Sequence, residues 1–169
     1  MLLLQIATLL SLGFVVYQDF KYRGVYWFCF PILSILLGTL KTLDLGFYTL
    51  WTDGLMTISF LLLQILCLWC YFAMKHKKLI TLTNGFIGWG DILFLFVLCF
   101  YLSPVNYILF YVFSLIAAIV FAISAKAISK KESFTIPLAG IQSFLFVLFL
   151  TGEWYLGFRT DNLLEFINL

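Results

Sequence analysis

The sequence predicts an all-α protein that crosses a membrane about six times, with both termini on the extracytoplasmic side. The first observation behind this prediction is composition, because 64% of the 169 residues are hydrophobic and only 11% are charged. A soluble domain carries about 25% charged residues, so this chain has too little polar surface to cover a water-soluble globule. The other two observations are the apolar runs and the distribution of the basic residues.

The apolar runs divide the chain into six predicted spans. A transmembrane helix needs about 20 predominantly apolar residues, and the first two runs are the shortest. Segment 45–53 is less apolar, and it predicts either a surface helix or an early start of the third span. The runs cover residues 2–17, 25–40, 54–74, 86–102, 105–125 and 134–151.

Two domains are expected from this division. Residues 1–152 form the predicted six-helix membrane domain, and residues 153–169 form a C-terminal extracytoplasmic segment. In that segment Phe158, Leu163, Leu164 and Phe166 alternate with charged residues. This alternation is compatible with an amphipathic helix at the membrane interface.

The basic residues set the predicted orientation. Eight of the ten Lys and Arg residues follow the first, third or fifth span: Lys21, Arg23, Lys75, Lys77, Lys78, Lys126, Lys130 and Lys131. Only Lys41 and Arg159 fall on the other side. Because basic loops stay in the cytoplasm, segments 19–24, 75–85 and 126–133 are predicted to be cytoplasmic. The chain is therefore expected to be a multi-pass protein of the cytoplasmic (inner) membrane.

Two carboxylates stand at the edges of apolar runs on this predicted cytoplasmic face. Asp19 ends the first span, and Asp91 begins the fourth directly after Gly88, Trp89 and Gly90. A charge at such a position is costly and usually functional. The two acids are therefore predicted to share one membrane depth although they lie far apart in the chain.

A pair of carboxylates can hydrolyse a peptide bond when one is ionised and the other protonated. The ionised group takes a proton from water, and the protonated group donates a hydrogen bond to the scissile carbonyl. Like charges a few ångströms apart cannot both ionise easily, so proximity itself supplies this state. The pair is expected to titrate as one unit, which leaves the two roles unassigned.

Each acid also has a purely structural interpretation. Gly88, Gly90 and Asp91 fit a glycine-rich helix boundary, where the helix dipole favours an acid. Asp19 fits an interfacial ion pair with Lys21 or Arg23, worth roughly 0–1 kcal/mol. The shared depth and the order of the two acids favour the catalytic interpretation.

These motifs resemble the type IV prepilin peptidases and the related archaeal preflagellin peptidases. In that family one Asp ends the first span within D-x-K-x-R-x-I-P, and a second Asp stands in G-x-G-D at the fourth. The matching segments here are Asp19-Phe20-Lys21-Tyr22-Arg23-Gly24-Val25-Tyr26, Gly88-Trp89-Gly90-Asp91 and, more weakly, Ile136-Pro137-Leu138-Ala139-Gly140 at the start of the last span. Val25 replaces the usual Ile, and Tyr26 and Gly140 stand where the family often has Pro.

The resemblance implies an aspartic-type endopeptidase that processes pilin-like precursors. Asp19 and Asp91 would be catalytic, and the motif would be supported by Gly88, Trp89, Gly90, Lys21, Arg23 and Pro137. The chain would be a short form without the cysteine segment linked to methylation, and it would need no metal or other cofactor. Its expected partners are the precursor protein and membrane lipid, with no nucleic acid.

Two other classes of protein remain open at this point. One is an intramembrane protease of the presenilin or signal peptide peptidase kind, which shares the GxGD signature. Its Tyr-Asp and Pro-Ala-Leu motifs are matched only imperfectly, by Tyr17-Gln18-Asp19 and Pro137-Leu138-Ala139. The other class is a noncatalytic membrane scaffold or small transporter of the same fold.

Overall fold

The computed structural model describes residues 1–76, 88–128 and 137–156, and these residues form helices joined by short turns, without a strand. The six helices are α1 (Leu2–Tyr22), α2 (Cys29–Leu45), α3 (Phe47–His76), α4 (Trp89–Leu98), α5 (Pro104–Ile128) and α6 (Leu138–Leu156). Only residues 153–156 of the predicted C-terminal segment are described, and they continue α6. The predicted loops 75–85 and 126–133 lie mostly outside the described residues.

Within these ranges, four helices are long and apolar enough to cross a membrane, as expected of an all-α membrane protein. They are Leu2–Tyr22, Phe47–Lys75, Pro104–Lys126 and Leu138–Tyr155. The other two are shorter, since α2 has 17 residues and α4 has 10. At 1.5 Å per residue α4 is about 15 Å long, half of the ~30 Å hydrocarbon core. A half-length helix therefore lies where the sequence predicted a full span over 86–102.

Two helix boundaries differ from the sequence prediction in ways that matter for the site. Helix α1 continues to Tyr22, so Asp19 lies in its last turn rather than after it. Arg23 ends the helix in the left-handed conformation (φ 57°), and its N–H donates to the Asp19 carbonyl. Helix α3 begins at Phe47, directly after Gly46 (φ 90°). Most of segment 45–53 is therefore an early start of the third helix.

The helices pack around one apolar core. Helix α6 lies along α1 and contacts α4 and α5, while α2 contacts α1, α3 and α4. The fully buried side chains between α1, α2, α4 and α6 include Leu12, Val15, Leu33, Leu37, Phe94, Leu98, Phe146 and Leu150. The outward faces of α3 and α5 expose large apolar side chains such as Leu62, Leu66, Phe113, Ile116 and Val120. Hydrocarbon chains of lipid match such faces.

Candidate active site

Asp19 is a buried acid whose carboxylate is held by the main chain of another helix. Its side chain is only 7% exposed. The backbone N–H of Gly140, in the first turn of α6, donates to Asp19 Oδ2 at 2.6 Å. A hydrogen bond to an ionised carboxylate is among the stronger kinds in proteins. The extensive packing of α1 on α6 therefore fixes the position of this carboxylate.

Asp91 lies in the first turn of α4, three residues after the N-cap residue Gly88. Its carboxylate bends back to interact with the Gly88 backbone N–H, as the third residue of a capping box does. A Cβ atom at Gly88 would lie only 3.0 Å from Asp91 Oδ2. Glycine at this position therefore permits the close approach of the carboxylate to the helix start.

The two carboxylates meet at the N-terminus of α6. The Pro137 carbonyl accepts the N–H of Ile141 at 3.1 Å, which makes Pro137 the N-cap residue. The N–H groups of Ala139 and Gly140 consequently have no partner within the helix. Ala139 N–H interacts with Asp91, and Gly140 N–H donates to Asp19. Consecutive Cα atoms are about 3.8 Å apart, so these two N–H groups are close neighbours. Asp19 and Asp91 therefore interact with the same helix end.

The electrostatics of this arrangement suit a shared proton. Asp19 and Asp91 lie close enough for their charges to interact, and Arg23 acts on the Asp19 carboxylate with the opposite sign. The partial positive charge at the start of α6 stabilises negative charge on either acid. Two adjacent carboxylates in this setting hold one proton most easily as a pair. Such a pair can remove a proton from water while donating a hydrogen bond to a carbonyl.

The remaining glycine and tryptophan of the motif shape the start of α4. The Trp89 side chain is 66% exposed, so it lies beside the carboxylates without covering them. A Cβ at Gly90 would be 3.9 Å from the Phe30 ring of α2, an ordinary van der Waals distance. Gly90 is therefore not sterically required by the packing of α2 on α4. Pro137 is buried and begins α6.

Of the two basic residues that the ion-pair interpretation paired with Asp19, Lys21 and Arg23, only Arg23 acts on its carboxylate. The Lys21 amine donates to the Tyr17 hydroxyl at 2.5 Å and lies over the Tyr22 ring, on the exposed side of α1. Asp19 is bound by the Gly140 amide instead, and its cationic neighbour is Arg23. Lys21 is therefore an interfacial side chain rather than the partner of Asp19.

Tyr26 and Gly140, which stand where the family that the motifs resemble often has Pro, each use an N–H that proline lacks. The Gly140 N–H binds Asp19, and the Tyr26 N–H donates to Gln18 Oε1 at 3.1 Å. Gln18 is 2% exposed, so this bond ties the α1–α2 connection to the residue beside Asp19. The two replacements therefore support the site.

Sequence reasoning passed over Gln18 and the two α6 amides. A polar side chain next to Asp19 at the end of an apolar run was a usable signal for Gln18. No sequence signal marked the amides of Ala139 and Gly140, because their role depends on the backbone and not on the side chain.

Gly140→Ala is expected to lower activity of the site about tenfold or more, because a misplaced reacting group is very costly. The new Cβ would lie 2.9 Å from the Phe20 ring and 3.1 Å from Asp19 Oδ2. Gly152→Ala is the control in the same helix, since nothing lies within 4 Å of its added Cβ. Both variants replace a glycine of α6 by alanine, so each gains the same helix propensity, up to about 1 kcal/mol. Equal activity of the two variants in a cleavage assay would show that the Gly140 contact is unimportant.

Comparisons with known proteins find no match for this chain: no family model, no curated protein and no solved structure. The motif residues and the geometry of the two carboxylates are therefore the indications of function in this chain.

Proposed function

We propose that this chain is a membrane-embedded aspartyl endopeptidase that removes the basic leader of pilin-like precursors. The observation that carries the proposal is that Asp19 and Asp91, from two different helices, both lie at the N-terminus of α6, where the Gly140 N–H donates to Asp19. A purely structural acid at a helix boundary needs one such partner. Two acids from two helices at one helix end are the minimal apparatus for acid–base hydrolysis by water.

The proposed orientation places this site at the cytoplasmic boundary of the membrane. Six membrane-embedded helices, with the basic loops inside and both termini outside, put the end of α1 and the start of α4 on the cytoplasmic side. A precursor with a cytoplasmic basic leader and an apolar helix would have its junction at this depth. Anionic lipid headgroups would hold the leader near the surface, since the loops of the enzyme are themselves basic.

The proposed mechanism uses the pair as one acid and one base. The ionised carboxylate removes a proton from a water molecule, which attacks the scissile carbonyl carbon. The protonated carboxyl donates a hydrogen bond to the carbonyl oxygen and then gives its proton to the leaving amine as the C–N bond breaks, so the pair again holds one proton. The N–H groups of Ala139 and Gly140 orient the two carboxylates throughout these steps.

An intramembrane protease of the presenilin kind is the second candidate. The observation that favours it is the position of Pro137-Leu138-Ala139, because this near match to Pro-Ala-Leu begins α6 beside both acids. The two candidates differ in where they cut. A prepilin-type enzyme cuts at the junction of leader and helix, whereas a presenilin-type enzyme cuts inside the apolar helix.

Cleavage in reconstituted vesicles tests the proposal. The purified chain is mixed with a precursor that carries a short basic leader followed by an apolar helix, and the products are mapped by mass spectrometry. A cut at the junction supports the prepilin-type proposal, and a cut within the helix supports the second candidate. An intact precursor, in vesicles where a known prepilin peptidase cleaves it, would contradict both.

A further inference from the structure

The helix that carries Asp91 ends well before it could cross a membrane. Helix α4 has 10 residues, and the turn after it leads into α5 at Pro104. The last carbonyl groups of any helix lack partners within that helix. In an apolar environment each such group must find a partner elsewhere, because an unsatisfied one costs several kcal/mol.

Side chains from three other helices bond to carbonyls in the last turn of α4 and in the turn that follows it. Lys41 Nζ of α2 donates to the Leu102 carbonyl at 3.4 Å. Thr57 Oγ1 of α3 lies 3.3 Å from the Cys99 carbonyl and shares its one proton between that carbonyl and those of Asp53 and Gly54. The hydroxyl of Tyr107, in α5, donates to the Leu95 carbonyl at 3.4 Å. The last carbonyls of α4 itself are bonded by the turn that follows it, since the N–H groups of Cys99, Phe100 and Tyr101 donate to Phe96, Val97 and Leu98. The three side chains therefore tie this turn and the end of α4 to α2, α3 and α5.

Of these three side chains, Lys41 is the one whose burial costs the most free energy. Its side chain is 2% exposed, and it forms an ion pair with Asp53 of α3 at 2.7 Å. Burying an ion pair costs more than a well-packed apolar pair of the same volume, so it is weak evidence for stability alone. A buried charge among membrane helices is by default a sign of function. Its position at the end of α4 indicates what that function is.

The same turn is tied to α6. The Tyr101 hydroxyl donates to Glu153 at 3.0 Å, and Trp154 Nε1 donates to Tyr101 at 3.2 Å. Helix α6 therefore contacts α4 at both ends, through Ala139 beside Asp91 and through Glu153 about 21 Å further along.

We infer that Lys41, Thr57 and Tyr101 are positioning residues that fix the height of α4 and thereby the position of Asp91 relative to Asp19. A ten-residue helix moves as a rigid rod, so a shift at its far end is transmitted to Asp91. The catalytic consequence rests on the proposed function, whereas the effect on helix position does not. These residues touch neither substrate nor reacting atoms, and they act only through α4.

Two buried threonines provide a matched test. Thr57 and Thr8 are both buried, and each hydroxyl donates to a carbonyl four residues earlier in its own helix. Only Thr57 also reaches α4. Thr57→Val is expected to lower kcat about tenfold with KM within about twofold, because the substrate still binds while one reacting group is displaced. Thr8→Val is expected to change neither constant by more than about twofold.

Spin labels measure the helix position without any need for activity. Cysteines replace Tyr17 in α1 and Trp89 in α4, two exposed side chains, in a chain whose exposed Cys67 and Cys70 are changed to serine. The inter-label distance distribution is expected to shift or broaden in Thr57→Val and in Lys41→Met/Asp53→Leu, but not in Thr8→Val.

The two readouts separate the two proposals. Unchanged label distances in all three variants would overturn the positioning role, whatever the cleavage assay gives. Equal kcat values for Thr57→Val and Thr8→Val would also overturn it. If the parent chain cleaves no precursor but the label distances shift as expected, the positioning role of these residues holds and the peptidase proposal fails.

Discussion

Replacing Asp91 by asparagine is expected to reduce precursor cleavage about 10²–10⁴-fold, the range that a positioned acid or base contributes. The amide keeps the size of the carboxyl group and can still accept the N–H of Gly88 and Ala139. It cannot share a proton with Asp19 or take one from water. Folding and membrane insertion should therefore persist, and the loss should lie in kcat rather than in KM. Cleavage rates in vesicles, normalised to inserted protein, measure the effect.

The control for this change is Asp44→Asn. Asp44 is exposed near the end of α2, at the opposite end of the helix bundle from Asp19 and Asp91. This variant should cleave within about twofold of the parent chain, as surface substitutions away from a site generally do. Cleavage by Asp91→Asn at the rate of Asp44→Asn would remove Asp91 from the mechanism.

The second large effect concerns stability. Lys41→Met is expected to lower the free energy of unfolding by up to about 3 kcal/mol, because it removes the cation from Asp53, whose side chain is only 20% exposed. Lys41→Met/Asp53→Leu should regain most of this loss, since no unpaired charge remains. Denaturant titration in detergent micelles or bicelles would measure both values.

An exposed lysine supplies the comparison for Lys41. Lys21→Met removes a lysine on the exposed side of α1, and it should change the free energy of unfolding by no more than about 0.5 kcal/mol. A Lys41→Met variant as stable as Lys21→Met would show that the Lys41–Asp53 pair contributes nothing to the fold.

The sequence was sufficient to predict which helix ends carry the two acids. The Gly88-Trp89-Gly90-Asp91 segment is a helix-capping sequence, and such short-range patterns depend little on the rest of the fold. The alternation of basic loops placed Asp19 and Asp91 at one end of the molecule independently of their own identity. The structure agrees with both expectations, since each acid lies at an α6-facing helix end.

The partners of these acids could not be predicted, because they are backbone groups of a distant helix. Nothing in the side chains of Ala139 or Gly140 marks their amides as binding groups for carboxylates. The burial and the partners of Lys41 could not be predicted from the sequence either. Its sequence context suggested a loop charge on the extracytoplasmic side, yet the structure buries it against Asp53 and the Leu102 carbonyl. Which charges become paired is decided by helix packing rather than by hydropathy.

The length of α4 escaped prediction for a related reason. Residues 86–102 are apolar enough for a full span, so composition alone favoured one. After Leu98 the chain forms a turn whose backbone N–H groups donate to the last carbonyls of α4, and side chains of α2, α3 and α5 bond to further carbonyls of this region. A chain segment can leave the helix within an apolar environment only where such partners exist.

The central claim is that Asp19 and Asp91 act as one catalytic unit assembled by α6. Single-turnover cleavage by Asp19→Asn, Asp91→Asn and the double variant tests it most directly, because residues that act as a unit have non-additive effects. The account predicts that each single change removes nearly all activity and that the double variant is no slower than the singles within about threefold. Losses that multiply in the double variant, or a single variant that retains most of its activity, would contradict it.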